Sequence, residues 1–265
     1  MAVAHFDYFS EALQRTVSFH LVLPNDIRPE WRQDNPHFER PMKTLMLLHG
    51  YFGSSAEWLY KSEITELASQ YNIAVILPSG ENSFYTNGEA SGRKYADFVG
   101  EELLHYVQDT FQLSKDKNDT FIGGFSMGGF GAILTALGYN NNYGKAFALS
   151  SALITDNIHK MEKGHQQMAN YDYYELVFGE LSKVKQTENH PLYLIEQLKE
   201  KGETIPDLFL ACGKDDWLIE GSRQFAKSLE ELNIPVVYHE DEGGHDFRFW
   251  NQWIEPSIKW LLNVD

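Results

Sequence analysis

The chain has one cysteine, Cys212, in 265 residues. A lone thiol cannot close an internal disulfide and makes no CxxC pair, so a disulfide-stapled framework and a cysteine-based metal site are both excluded. Positive charge is scarce as well: 22 Lys and Arg stand against 38 Asp and Glu, a formal net charge of −16. Binding a phosphate backbone needs clustered cations, so no nucleic-acid partner is expected. No apolar run approaches the roughly 18 residues of a membrane span. The opening stretch "MAVAHFDYFSEALQRTVSF" lacks the basic start and apolar core of a secretion leader. The expectation is a cytoplasmic protein without a membrane partner, in which the sequon Asn118-Asp119-Thr120 goes unmodified. Repeats with a period of about 20 to 50 residues and low-complexity tracts are also missing.

What is present is the composition of an ordinary soluble domain: apolar residues make up 43% of the chain and charged residues 23%, too much of the former for a disordered chain. The length fits one domain spanning residues 1–265. Short apolar runs recur with helical stretches between them. "TVSFHLVLP" (16–24) alternates like a half-exposed early strand, and the polar stretch 25–43 after it reads as a long connection. Runs at 44–50, 73–80, 119–126, 145–151, 206–213 and 234–241 are continuously apolar, as strands buried on both faces are. Tyr95, Phe98, Val99, Leu103, Tyr106, Val107 and Phe111 form a helical stripe, and 191–202, 222–233 and 249–263 are further helices, the last kinked or started by Pro256. The fold class predicted is α/β, a mostly parallel central sheet with helices on both faces. Residues 153–205 interrupt this rhythm as an insertion, which either walls a substrate site or packs peripherally on the sheet.

The chemistry starts at "TFIGGFSMGGFGA" (120–132). It meets neither the P-loop pattern nor the dinucleotide fingerprint, but Gly124-Phe125-Ser126-Met127-Gly128 is G-x-S-x-G between a strand and a helix. In that setting the serine sits on a sharp strained turn, and small flanking residues let the chains approach. A serine hydroxyl needs a base, and the base needs a group to fix its tautomer. In α/β-hydrolases these follow in the order Ser, Asp or Glu, His at successive strand ends. Asp215 and Asp216 follow the 206–213 run, and His245 lies in the glycine-flanked loop after 234–241. Asp216 is preferred over Asp215 because of its distance from the strand end. For the oxyanion hole, Met127 offers a backbone N–H at a helix N-terminus, and "LLHGYFGSS" (47–55) offers a second through Tyr51, with Phe52 as the alternative.

Together "LLHGYFGSSAEW", "ILPSGENSFYTNG", "FIGGFSMGGFGAILTAL", "LFLACGKDDWL" and "GGHDFRFWNQWIEPSIKWL" resemble the esterase D type of α/β-hydrolase. The likeness is greatest to bacterial tributyrin esterases, whose relatives include S-formylglutathione hydrolases and feruloyl and acetylxylan esterases. It runs from about residue 44 to the C-terminus and is weakest across 153–205. Phe125 departs from it, standing where a small or leucine-like residue is usual. The resemblance implies a carboxylesterase with Ser126, Asp216 and His245 as triad and Tyr51 and Met127 as oxyanion donors. It further implies that Trp58, Ser83, Phe84 and Tyr85 help line the pocket. The expected partner is a small ester, cleaved without metal or organic cofactor; a homo-oligomer is compatible with the sequence. Thioester hydrolysis, polysaccharide or feruloyl ester hydrolysis, and a non-catalytic binding role are the competing readings.

Overall fold

A computed structural model describes residues 1–166 and 168–264. Its strands are β1 (Ala2–Ser10), β2 (Arg15–Leu23), β3 (Lys43–Leu48), β4 (Ile73–Pro78), β5 (Thr120–Phe125), β6 (Lys145–Leu149), β7 (Asp207–Gly213) and β8 (Val236–Asp241). They form one sheet in the order β1-β2-β4-β3-β5-β6-β7-β8. From β4 to β8 all pairs are parallel, whereas the β1–β2 hairpin joins β4 antiparallel. The seven expected strands are found within a residue or two of their runs, in the α/β arrangement anticipated.

Along each buried strand, successive side chains enter two separate cores. Met46, Leu48, Ile122, Ala146 and Leu210 face one, with the helices Leu103–Phe111, Met127–Gly138 and Pro191–Lys201. Leu45, Leu47, Phe121, Phe147 and Phe209 face the other, under the helices Ile64–Tyr71 and Phe247–Leu262. The two-residue side-chain period of a strand makes this division, and burial on both faces explains why the runs are apolar without alternation. A fully buried Leu or Phe contributes about 1.5–3 kcal/mol relative to exposure, so the two cores carry most of the fold's cohesion.

Three local readings are corrected. β1 was not anticipated, although its residues alternate between half-buried and exposed over Ala2–Phe9, as an edge strand does. The connection 25–43 contains a helical turn at Pro29–Arg32 and a 3₁₀ turn at Pro36–Phe38. Pro256 neither starts nor ends the last helix: Asp246 caps it, accepting the N–H of Arg248 at 2.8 Å and of Phe249 at 3.3 Å, and Pro256 lies in its interior. Within 153–205 the peripheral-packing reading holds for one of the helices. The helix Pro191–Lys201 packs peripherally on Met127–Gly138, while Tyr171–Phe178 turns toward the carboxyl ends of the strands, where its Tyr173 hydroxyl donates to the backbone oxygen of Asn82.

The stripe at 95–111 is a composite: Tyr95–Asp97 and Leu103–Phe111 are α-helical, and Phe98–Glu102 between them is a π turn. Glu102, at the end of that turn, binds the hairpin. Its carboxylate accepts from Tyr8 Oη at 2.8 Å, Ser10 Oγ at 2.9 Å, and the N–H groups of Glu11 and Ala12 at 2.8 and 3.0 Å. Ser10 is fully buried, so a lost acceptor there cannot be replaced by water. Glu102→Ala is expected to lower stability by about 2–3 kcal/mol and Tm by roughly 5–10 °C, with Glu102→Gln less affected; thermal unfolding by circular dichroism reads both.

Candidate active site

Ser126 follows β5 and precedes the helix Met127–Gly138, with φ 54° and ψ −120°. A non-glycine residue in that region is strained by about 1–3 kcal/mol and persists only where its surroundings over-determine it. They do so here: its N–H donates to Leu149 O at 2.9 Å, and its carbonyl accepts from Ala152 and Phe130 at 2.9 and 3.1 Å. The helix also passes very close to the end of β3. A Cβ on Gly128 would lie 2.5 Å from Leu48 O, and one on Gly124 would lie 2.6 Å from the Gly128 carbonyl, so both motif glycines are demanded by space.

Loops after β7 and β8 bring the other two groups in. His245 Nε2 is 2.9 Å from Ser126 Oγ, and His245 Nδ1 is 2.8 Å from Asp216 Oδ2. Asp216 is 2% exposed, and its second oxygen accepts the N–H of Leu218 at 2.9 Å. Asp215 instead is exposed, while its backbone N–H donates to Gly243 O at 3.0 Å and ties the aspartate loop to the histidine loop. With a carboxylate on Nδ1, the imidazole keeps its proton there and presents an unprotonated Nε2 to the serine hydroxyl.

On the opposite side of Ser126 lies the loop after β3. The peptide joining Gly50 to Tyr51 has its oxygen held by Gly53 N–H at 3.0 Å and by His49 Nδ1–H at 2.8 Å. In a planar trans peptide the N–H points opposite to the C=O, so these bonds aim the Tyr51 N–H away from them. Among the described residues no acceptor takes the N–H of Tyr51 or of Met127. The Phe52 N–H, in contrast, is donated to Asn82 Oδ1 at 2.8 Å. Met127 opens a helix of twelve residues, whose N-terminus favours an anion.

The four residues expected in the pocket wall are all buried. Trp58 is 1% exposed, donates its indole N–H to Leu48 O at 3.0 Å, and packs edge-on against Phe125 and Phe247. Ser83 donates to Gly80 O at 2.6 Å and accepts the Tyr85 N–H at 3.0 Å. Tyr85 donates its hydroxyl to His49 O at 3.1 Å, and Phe84 lies behind Tyr51 against Phe130 and Phe178. These side chains shape the loops from beneath. The side chains that stand open beside the site are Phe52, 79% exposed, and Trp217, 64% exposed, whose ring centroid is 4.2 Å from that of His245. Trp217 follows Asp216 directly, so an aromatic beside the acid was the available signal for it. Phe125 has a structural reason of its own: it stacks on Trp250 at 4.0 Å, and Trp250 meets His245 edge-on at 5.1 Å.

A mostly parallel sheet whose fifth strand ends in a strained serine, met there by a carboxylate-backed imidazole, is how α/β-hydrolases are built, and this chain is one of them. Residues 10–261 match the family model described as "Putative esterase", and the chain belongs to that family. It is 39% identical to an acetyl esterase of Caldicellulosiruptor saccharolyticus, over 100% of this chain and 99% of that one. It superposes on FphF, a fluorophosphonate-binding serine hydrolase of Staphylococcus aureus, with TM-score 0.85 and 32% identity, over 99% of this chain and 98% of that one. The S-formylglutathione hydrolase FrmB of Staphylococcus aureus gives TM-score 0.83 and 33% identity over 99% of each. A ferulic acid esterase shares the fold at 19% identity, with TM-score 0.75 over 99% of this chain and 97% of that one. The protein is a carboxylesterase.

His49 supports the Gly50–Tyr51 peptide only while neutral, because its Nε2 accepts the Gly80 N–H at 2.9 Å. Burial holds its pKa below the ordinary histidine value. A histidine kept neutral in the fold but protonated in the unfolded chain near pH 6.5 contributes stability above that pH that is lost as pH falls. Between about pH 7.5 and 5.5 the stability of His49→Gln should therefore fall less steeply than that of the wild type, by up to about 1.4 kcal/mol per pH unit, as read by urea unfolding.

Proposed function

We propose that the chain hydrolyses small carboxylic esters, with acyl groups from acetyl to butyryl, by acyl transfer through Ser126. The observation that carries this reading is the continuous hydrogen-bonded path from Ser126 Oγ to His245 Nε2 and from His245 Nδ1 to Asp216. Ser126 Oγ attacks the ester carbonyl while His245 Nε2 takes its proton. The carbonyl oxygen becomes an anion and accepts from the N–H groups of Tyr51 and Met127. The C–O bond to the alcohol breaks, His245 returns the proton to that oxygen, and an acyl-enzyme remains. Water, deprotonated by the same imidazole, attacks the acyl carbon; the bond from that carbon to Ser126 Oγ breaks, His245 returns the proton to Oγ, and the acid leaves the regenerated serine. Asp216 holds the imidazole in the required tautomer and stabilises its cationic form.

The 39% identity to an acetyl esterase supports the short-acyl preference, with butyryl as the upper bound by likeness to tributyrin esterases. Likeness to FrmB at 33% identity favours a second reading, hydrolysis of a small acyl thioester by the same steps with a thiolate leaving group. No described helix is long and apolar enough to cross a membrane. The proposal is completed by a cytoplasmic site of action and by residues 1–265 working as one domain; subcellular fractionation and limited proteolysis test these two points, and light scattering reads whether the chain forms a homo-oligomer.

Hydrolysis of p-nitrophenyl esters from acetate to decanoate should peak between acetate and butyrate. Ser126→Ala should lower kcat roughly 10⁶-fold. Asp216→Asn should cost about 10⁴-fold, against a factor of about three or less for Asp215→Asn. Turnover that survives in Ser126→Ala would overturn the reading. S-formylglutathione cleaved far faster than every oxygen ester would select the thioester alternative.

A further inference from the structure

Asn82 lies between the two loops that decide the geometry around Ser126. Its side-chain Oδ1 accepts the Phe52 N–H at 2.8 Å, and its backbone oxygen accepts the Tyr173 hydroxyl at 2.6 Å. Phe52 is in the left-handed region with φ 67°, as is Glu81 with φ 48°, so neither loop would adopt this course without a fixed partner. Tyr173 comes from the insertion helix Tyr171–Phe178, and its ring also meets Tyr51 edge-on, centroids 5.6 Å apart. A second tie joins the same elements, since Thr86 Oγ1 donates to Val177 O at 2.7 Å.

The consequence lies one peptide away from the chemistry. Gly53 and His49 hold the oxygen of the Gly50–Tyr51 peptide. Asn82 holds the N–H of the next peptide, Tyr51–Phe52. With the planes on both sides of Tyr51 held, the direction of the Tyr51 N–H is set by bonds that do not touch the substrate. We infer that Asn82 is a positioning residue for the oxyanion donor Tyr51, and that the insertion, through Tyr173, holds Asn82 in place. This rests on the acyl-transfer reading above. It gives residues 153–205 a part in the reaction beyond walling or packing: they brace the peptide that receives the developing negative charge.

The test uses Asn82→Ala, Asn82→Asp and Tyr173→Phe in the whole chain, with kcat and KM on p-nitrophenyl butyrate and the inhibition constant of n-butylboronic acid. The boronate's tetrahedral adduct with Ser126 puts an oxygen where the oxyanion forms. Direct removal of an oxyanion donor costs about 10²–10³ in kcat, so misplacing one should cost about ten- to a hundredfold. Asn82→Ala should lose that factor in kcat and a similar factor in boronate affinity, with KM unchanged within about twofold. Asn82→Asp keeps an acceptor for Phe52 and should recover most of both losses. Tyr173→Phe, which removes only one hydroxyl, should show a several-fold loss of the same kind and serves as the test if Asn82→Ala does not fold. Unchanged kcat and boronate affinity in Asn82→Ala or, where that variant does not fold, in Tyr173→Phe would overturn the inference. So would a loss confined to KM. A wild type inert toward esters would sink the acyl-transfer reading itself and this inference with it, an outcome distinct from an active wild type indifferent to Asn82.

Discussion

The backbone of Ser126, at φ 54° and ψ −120°, is the constraint on which the rest of the site depends. A single residue has to end a buried parallel strand, reverse the chain and start a helix, and it does so in a conformation that its own sterics oppose. The neighbouring strands compensate. Bonds from Ser126 to Leu149 and Ala152 lock the turn against the end of β6, and the bond from Phe130 starts the helix. The turn stays tight only because the helix can touch β3, which requires bare backbone at Gly124 and Gly128. That contact brings the β3 loop, with His49, Gly50 and Tyr51, beside the serine. The proposed nucleophile and the proposed oxyanion donors thus depend on one close approach.

Around this turn the parallel sheet supplies geometry cheaply, because all its carboxyl ends open on one side. β7 and β8 are neighbours in register from Leu208 with Val236 to Gly213 with Asp241, so the loops carrying Asp216 and His245 leave the sheet side by side. Backbone bonds from Lys214 to Asp241 and from Asp215 to Gly243 then stitch those loops together. Aromatic packing continues the same support beneath the site. Phe125 stacks on Trp250, whose indole N–H reaches Ser150 Oγ at 3.1 Å and whose ring edge meets His245. A phenylalanine inside the G-x-S-x-G motif is therefore part of what steadies His245, the proposed base. Cys212, the lone thiol, is buried, and burial pushes its pKa up to about 12.

Much of this is legible in the sequence because burial on both faces and sharp turns each leave a local mark. Seven strands announce themselves as apolar runs, and chain order and strand ends point to Ser126, Asp216 and His245, whose side chains meet in the fold. β1 left a weaker mark because its outward positions include the apolar Val3 and Phe9 beside His5 and Asp7, which blurs an alternation that pairing with β2 makes meaningful. The orientation of the four expected wall residues was illegible for a different reason. Trp58, Ser83, Phe84 and Tyr85 do lie in loops at the carboxyl ends of strands, but nothing local says whether a side chain there points outward or is covered by another element. Phe84 is covered by Phe130 and Phe178 from two other segments, and Trp58 by Phe125 and Phe247.

The sequence by itself determined the layered α/β class, the position of the proposed nucleophile and the order of its proposed partners, since each depends on residue type within a few positions of chain. Tertiary structure decided which aspartate is buried against His245, which N–H in the β3 loop has no acceptor among the described residues, and how the insertion reaches that loop through Asn82 and Tyr173. The reason is physical: a hydrogen bond between residues 30 or 91 positions apart depends on distance and direction in space, and local periodicity carries no information about either.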